Sequence, residues 1–183
     1  KFFSAEDQGG RLLPVFLNVI DGPVEDVSLI LRANRGVLVS RLKDALFFWN
    51  EDLKVTLEDH VAVLLRVTYQ RDLGNYADKV ARLRTVVAAL APLYLPGEAA
   101  LLDRAALLCK ADLVTHMIGE KEMTSLQGVM GAFYARHQNE PESVWRAMRD
   151  HYRPVGAEDS LPETLPGRLL AVADKAETLA GMF

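Results

Sequence analysis

The chain has one cysteine and four histidines in 183 residues. That scarcity excludes an intrachain disulfide and leaves no Cys/His cluster spaced for zinc. A lone thiol, Cys109, is compatible with a reducing compartment. No apolar run reaches the roughly 20 residues that span a bilayer. No Gly-rich loop lies between a strand and a helix, so a phosphate cradle of that kind is missing. Basic residues are not in surplus: 21 Lys and Arg against 25 Asp and Glu give a net charge of −4. That balance argues against an autonomous, strongly basic nucleic-acid binder but leaves room for a local basic face. The opening Lys1-Phe2-Phe3 has neither an initiator Met nor signal-peptide architecture, as expected of a piece cut from a longer protein.

What is present is an ordinary globular balance, half apolar and a quarter charged. Two apolar runs flank the turn Asp7-Gln8-Gly9-Gly10, predicting a β-hairpin or edge strand over residues 1–22. Helical spacing follows over 24–33, with Glu25 and Asp26 as helix-start acids. A turn or C-cap is expected at Asn34-Arg35-Gly36, then a helix through Trp49. Phe47, Phe48 and Trp49 read as a packing block. Leu53, Leu57, Val61, Leu64 and Leu65 predict a long helix over 50–73, broken at Gly74-Asn75. Further helices are expected over 76–95, 98–118, 126–137 and 141–152. A loop over 153–164 precedes a last helix opened by Pro166, with Leu169, Val172, Ala173, Ala176, Leu179 and Ala180 inward. The expected fold is mainly α, a bundle of about seven helices with a short N-terminal β appendage. Its parts are the appendage (1–22), connecting helices (23–50) and a helical domain (51–183).

The most informative stretch is 107–136. Leu102, Ala106, Cys109, Leu113 and Met117, at spacings of four, three, four and four, predict one apolar face of a single helix. Cys109 falls on that face as a small core residue. Asp112 and His116, four apart, would then share a side. A second helix begins near Thr124 or Ser125, and Gly128, Gly131 and Ala135 thin one side of it.

This stretch, LLCKADLVTHMIGE followed by LQGVMGAFYARH, resembles the beta subunit of the bacterial two-subunit glycyl-tRNA synthetase. That family shows Lys-x-Asp-Leu-x-Thr-x-Met and then Leu-Gln-Gly-x-Met-Gly-x-x-Tyr-Ala. Residues 34–48 (NRGVLVSRLKDALFF), 73–82 (LGNYADKVAR) and 161–183 (LPETLPGRLLAVADKAETLAGMF) are similar to three more of its blocks. The resemblance implies an excised middle fragment carrying an HD-like helical domain, truncated at its C-terminal end. It implies a cytoplasmic protein, and an alpha subunit that builds glycyl-adenylate from glycine and ATP with magnesium. The beta subunit then supplies recognition of glycine tRNA, with no membrane partner and no cofactor in this fragment.

An active HD phosphohydrolase needs a His-Asp pair on a central helix and a late Asp to hold a metal that activates water. Here the late residue is Asp174, but Ala111-Asp112 stands where His-Asp would be, and alanine ligates nothing. No catalytic or metal-binding residue is therefore expected. The one alternative set is Asp112, His116 and Asp174, against the plainer reading that each is bonded or solvated locally. His137 and His151 lack an obvious base or nucleophile partner. Asp159 and Glu163 read as loop acids. Motif position and charge single out Lys79, Arg82, Lys110, Arg136 and Lys175 as tRNA contacts. Two rival functions stay open: a metal-dependent HD phosphohydrolase, and a scaffold that only spaces neighbouring domains.

Overall fold

The computed structural model describes residues 2–23 and 26–183. The expectations placed on Lys1, Val24 and Glu25 lie outside them. The chain divides into two compact units, residues 1–42 and 43–183.

In the first unit, strands β1 (Phe2–Glu6) and β2 (Leu12–Asn18) pair as the expected antiparallel hairpin. Asp7 closes its turn, its Oδ1 accepting from the N–H groups of Gly9 and Arg11, both at 2.9 Å. Phe2 and Phe16 meet edge to face at 5.7 Å. Helix α1 (Val27–Asp52) starts at Asp26, whose Oδ1 accepts from the N–H groups of Ser28 and Leu29. The break expected at Asn34-Arg35-Gly36 is absent. Helical spacing resumes at once beyond Gly36, and one glycine costs a helix only about 1 kcal/mol.

The second unit holds the helical bundle. The long helix expected over 50–73 is replaced by several short elements. Thr56 caps α2 (Leu57–Val63) by accepting from Asp59 N–H at 3.1 Å. A 3₁₀ turn (Leu64–Arg66) and two short strands, β3 (Thr68–Gln70) and β4 (Gly74–Asn75), follow. Gly74 has φ +82°, and a Cβ there would lie 2.2 Å from Asp78 Oδ2. That close approach lets Asp78 and Asn75 cap each other reciprocally at the start of α3 (Tyr76–Tyr94).

Helix α4 (Ala99–Leu108) is the axis of the bundle, with Leu102, Ala105, Ala106 and Leu108 fully buried. Helices α3, α7 and α8 pack against it. The single helix expected over 98–118 is interrupted after α4. Ala111–Val114 turn as 3₁₀ helix, and α5 (His116–Gly119) restarts from a Thr115 cap. Helix α6 (Val129–His137) starts at Gly128 rather than Leu126, which ends a 3₁₀ turn (Thr124–Leu126). Helix α7 (Glu142–Asp150) follows Pro141, and α8 (Leu165–Met182) follows a Thr164 cap. Among the described residues there are eight α-helices, the N-terminal hairpin and the short β3–β4 pair, a mainly helical bundle consistent with the HD-like description. Trp49 stacks on Tyr134 at 5.0 Å and Phe48 packs on the core, whereas Phe47 is exposed.

Helix α8 is turned differently from its expected face. Leu169 and Ala173 are buried, but Val172, Ala176, Leu179 and Ala180 are exposed. Leu170, Asp174 and Glu177 point inward instead. The ion pairs those two carboxylates make are the reason.

Candidate functional site

Asp174 and Glu177, one helical turn apart on α8, face cationic side chains and an imidazole from three other segments. Helix α3 contributes Lys79 and Arg82, also a turn apart. Lys110 comes from the bend after α4, and His151 from the end of α7. Lys110 Nζ lies 2.9 Å from Asp174 Oδ2 and 2.9 Å from His151 Nε2. It also sits 3.9 Å from the centre of the Tyr152 ring. Lys79 Nζ reaches Asp174 Oδ1 at 3.2 Å, Thr178 Oγ1 at 2.9 Å and the Glu177 carboxylate. Arg82 Nε donates to Glu177 Oε1 at 2.7 Å and its Nη1 to the Leu73 carbonyl.

The group is sealed. Lys79, Lys110, Asp174 and Glu177 are all under a tenth exposed, and His151 is fully buried. Burial alone would raise the Asp174 carboxyl, but Lys110, His151 and Lys79 outweigh it and hold it at about 2. Burial, reinforced by Lys110, pushes His151 down to about 3. Its Nδ1–H donates to the Met148 carbonyl at 2.6 Å, so the neutral ring offers Nε2 as acceptor to Lys110. Burial opposes the charge on Lys79, yet the two carboxylates raise its pKa. Two ammonium groups and two carboxylates therefore balance inside the bundle. Such a set fixes α3, α7 and α8 to one another, and its lysines have no N–H aimed at an external phosphate.

Asp112, His116 and Asp174 have three separate sets of partners. Ala111 is fully buried and has no donor. Asp112, on the 3₁₀ turn, is fully buried, and its Oδ2 accepts from Gly128 N–H at 2.7 Å and Gly131 N–H at 3.1 Å. It is the cap of α6, held from another segment. Burial raises its pKa to about 6, against the pull of those two N–H groups and Lys110. Gly128, expected inside a helix, instead precedes the first turn of α6, with φ +78°. His116 does not share a face with Asp112, because the chain breaks between them. Its Nδ1 and backbone N lie 2.9 and 2.7 Å from Asp52 Oδ1. Asp174 is already held by two lysines. These residues do not fit a divalent cation, and among the described residues no three His, Cys, Asp or Glu side chains converge as one requires. Cys109 is buried and burial pushes its thiol up to about 12, so it is a core residue and no nucleophile.

Of the five expected RNA contacts, Lys79 and Lys110 lie in the interior. Arg82 is half-exposed but bonded. Lys175 Nζ donates to the Tyr152 and Arg153 carbonyls at 3.2 and 2.9 Å. Arg136 is exposed, with its guanidinium 5.6 Å from the centre of the Trp145 ring. A shallow groove beside it is lined by Val129, Phe133, Trp145 and Arg149. Sequence reasoning missed His151, Glu177 and Asp52. The i, i+3 spacing of Asp174 and Glu177 within an apolar helix was a usable signal. Asp52, which also accepts from Met117 N–H at 3.0 Å and Tyr134 O–H at 2.8 Å, gave none, since its partners lie 64 to 82 residues away.

Comparison with known proteins gives one family throughout. The family model described as glycyl-tRNA synthetase beta subunit matches residues 1–183. The chain is 47% identical over 184 residues to a glycine–tRNA ligase beta subunit of Myxococcus xanthus. It is 44% identical over 183 residues to that of Neisseria meningitidis and 41% over 184 to that of Magnetococcus marinus. Each match covers 100% of this chain and 26% of the relative, so the chain spans about a quarter of the length of the curated relatives it matches.

Proposed function

The chain belongs to the glycyl-tRNA synthetase beta subunit family, and from that premise we propose that these residues are a non-catalytic, tRNA-supporting part of a glycine–tRNA ligase. The complete enzyme attaches glycine to tRNA in the cytoplasm, using ATP and magnesium together with an alpha subunit. The observation that carries the non-catalytic reading is the closed Lys79–Lys110–Asp174–Glu177 set. Its charges are neutralised in pairs and its donors are occupied, so none of the four is poised for acid–base or nucleophilic work.

The tRNA contacts fall to the cations at the surface. Arg136 is foremost, because its cation–π contact with Trp145 orients the guanidinium without neutralising it. Arg82 and Lys175 act at the edge of the cluster, while Lys79 and Lys110 serve indirectly by holding the helices that carry them. The phosphohydrolase reading is not supported, since Asp112 caps α6 and Asp174 is paired with lysines. A scaffolding role is compatible with tRNA contact and follows from the same interior.

The test uses the complete enzyme with Arg136→Glu. Glycine-dependent ATP–pyrophosphate exchange should be unchanged, while the KM for tRNA in charging rises. Unchanged charging with Arg136→Glu and with Arg82→Glu would leave the scaffold as the function of these residues.

A further inference from the structure

Helix α8 has its polarity inverted. Its acids, Asp174 and Glu177, face inward and are paired with lysines. Its bases, Arg168 and Lys175, lie to one side and donate to the backbone carbonyls of Pro162, Tyr152 and Arg153. Most of what remains outward is apolar. Leu165, Val172 and Leu179 repeat at seven-residue intervals and are 44, 57 and 58% exposed. Ala176 and Phe183 complete the same stripe, also exposed. One charged residue, Arg168, is exposed on its flank, with Nε held by the Pro162 carbonyl.

We infer that this stripe is the seat of another helix, contributed by the part of the same polypeptide that lies outside residues 1–183. Three observations select that occupant. A seven-residue apolar repeat on a helix fits the ridges and grooves of a second helix crossing at a shallow angle. A helix that is apolar on its outer face and packed on its inner face belongs between two layers, as in a domain interior. The curated relatives are about four times as long as this chain, since it covers 26% of each, so ample polypeptide exists to supply the helix. A single flanking cation, Arg168, already bonded to the Pro162 carbonyl, disfavours RNA, whose phosphates demand several. The same feature distinguishes it from the Arg136 surface, so this inference does not depend on tRNA being bound there.

Thiol protection in the complete beta subunit tests it. Val172→Cys and Leu179→Cys are introduced singly. Their alkylation is followed by peptide mass spectrometry, relative to the same thiols in denaturant. The expected result, in the beta subunit alone, is labelling slowed about a hundred-fold, as for a site exposed only by local unfolding. Ala176→Cys, a near-neutral change in volume, repeats the measurement should either larger replacement fail to fold. Labelling at the denatured rate in the beta subunit alone overturns the inference. So does protection that arises only on adding the alpha subunit or tRNA, which would assign the face to that partner.

Discussion

Lys110 Nζ and Asp174 Oδ2 are 2.9 Å apart, with the lysine 2% and the aspartate 7% exposed. The bend after α4 and the middle of α8 are thus joined by a charge pair that water barely reaches. Removing one partner strands the other, whereas replacing both with apolar groups need not cost stability.

Lys110→Met should therefore destabilise the bundle by about 3–5 kcal/mol, the usual cost of an orphaned buried charge. Lys54→Met, which breaks the exposed pair with Glu51, should cost no more than about 1 kcal/mol. Urea unfolding followed by tryptophan fluorescence compares the two. Equal, small losses would mean that Lys79 alone satisfies Asp174.

Acid should weaken the cluster in two stages. His151 is held neutral, with a folded pKa of about 3 against roughly 6.5 unfolded. The unfolded chain takes up a proton first, so this stability declines from about pH 6.5 toward 3. Asp174, at about 2 against roughly 3.9 unfolded, adds stability above the unfolded value that is lost as pH falls through the folded one. Asp112, at about 6, works oppositely, its protonation favouring the fold as pH falls from 6 toward 4. His151→Gln keeps a donor for Met148 and an acceptor for Lys110 without titrating. The fall in urea midpoint between pH 7 and 5 should be shallower in that variant; identical slopes would remove His151 as the cause.

The cap of α6 should tolerate loss of charge better than loss of shape. Asp112→Asn retains an oxygen for the Gly128 and Gly131 N–H groups. Asp112→Ala leaves both unpaired and should cost about 1–3 kcal/mol. Gly128→Ala should be harmful too: φ is +78°, and the new Cβ would lie 3.0 Å from Tyr152 Cδ2 and 3.2 Å from the Met148 carbonyl oxygen. Thermal melts of the three variants rank these effects, with Asp112→Asn expected nearest to wild type.

Asp52 should matter more than any single bond it makes. Asp52→Ala deprives the His116 and Met117 N–H groups and the Tyr134 hydroxyl at once, whereas Tyr134→Phe removes only one bond, about 1 kcal/mol. Hydrogen exchange should show α5 opening first in Asp52→Ala. Protection of α5 equal to that in Tyr134→Phe would refute the hub role.

If Arg136 meets a phosphate, its neutral replacement Arg136→Gln should lower the slope of log affinity against log salt by about one. A parallel line at lower affinity would instead indicate a change in fold.

Much of this was legible in the chain itself. The hairpin turn at Asp7, the Asn75/Asp78 start of α3, the Pro141 and Pro166 openings and the helical class all follow from local chemistry and apolar spacing. The family likewise follows from blocks of residues read in order. Local rules failed where two local signals competed. In 50–73 an apolar repeat lost to the Thr56/Asp59 cap and to Gly74, and in 98–118 one face of spaced apolar residues concealed a bend at Cys109-Lys110. At both breaks the freed N–H groups find distant acceptors: Leu57 N–H donates to Gln138 Oε1, and His116 and Met117 N–H donate to Asp52.

The face of α8 shows the division most clearly. Spacing marks Val172, Ala176 and Leu179 as one apolar stripe, and it is one. It cannot tell which side of an apolar helix faces this core. That was decided by Lys79 and Lys110, which lie 95 and 64 residues from Asp174 along the chain and draw Asp174 and Glu177 inward. A buried carboxylate without its cation costs more than an exposed valine, so the tertiary pairing overrode the pattern.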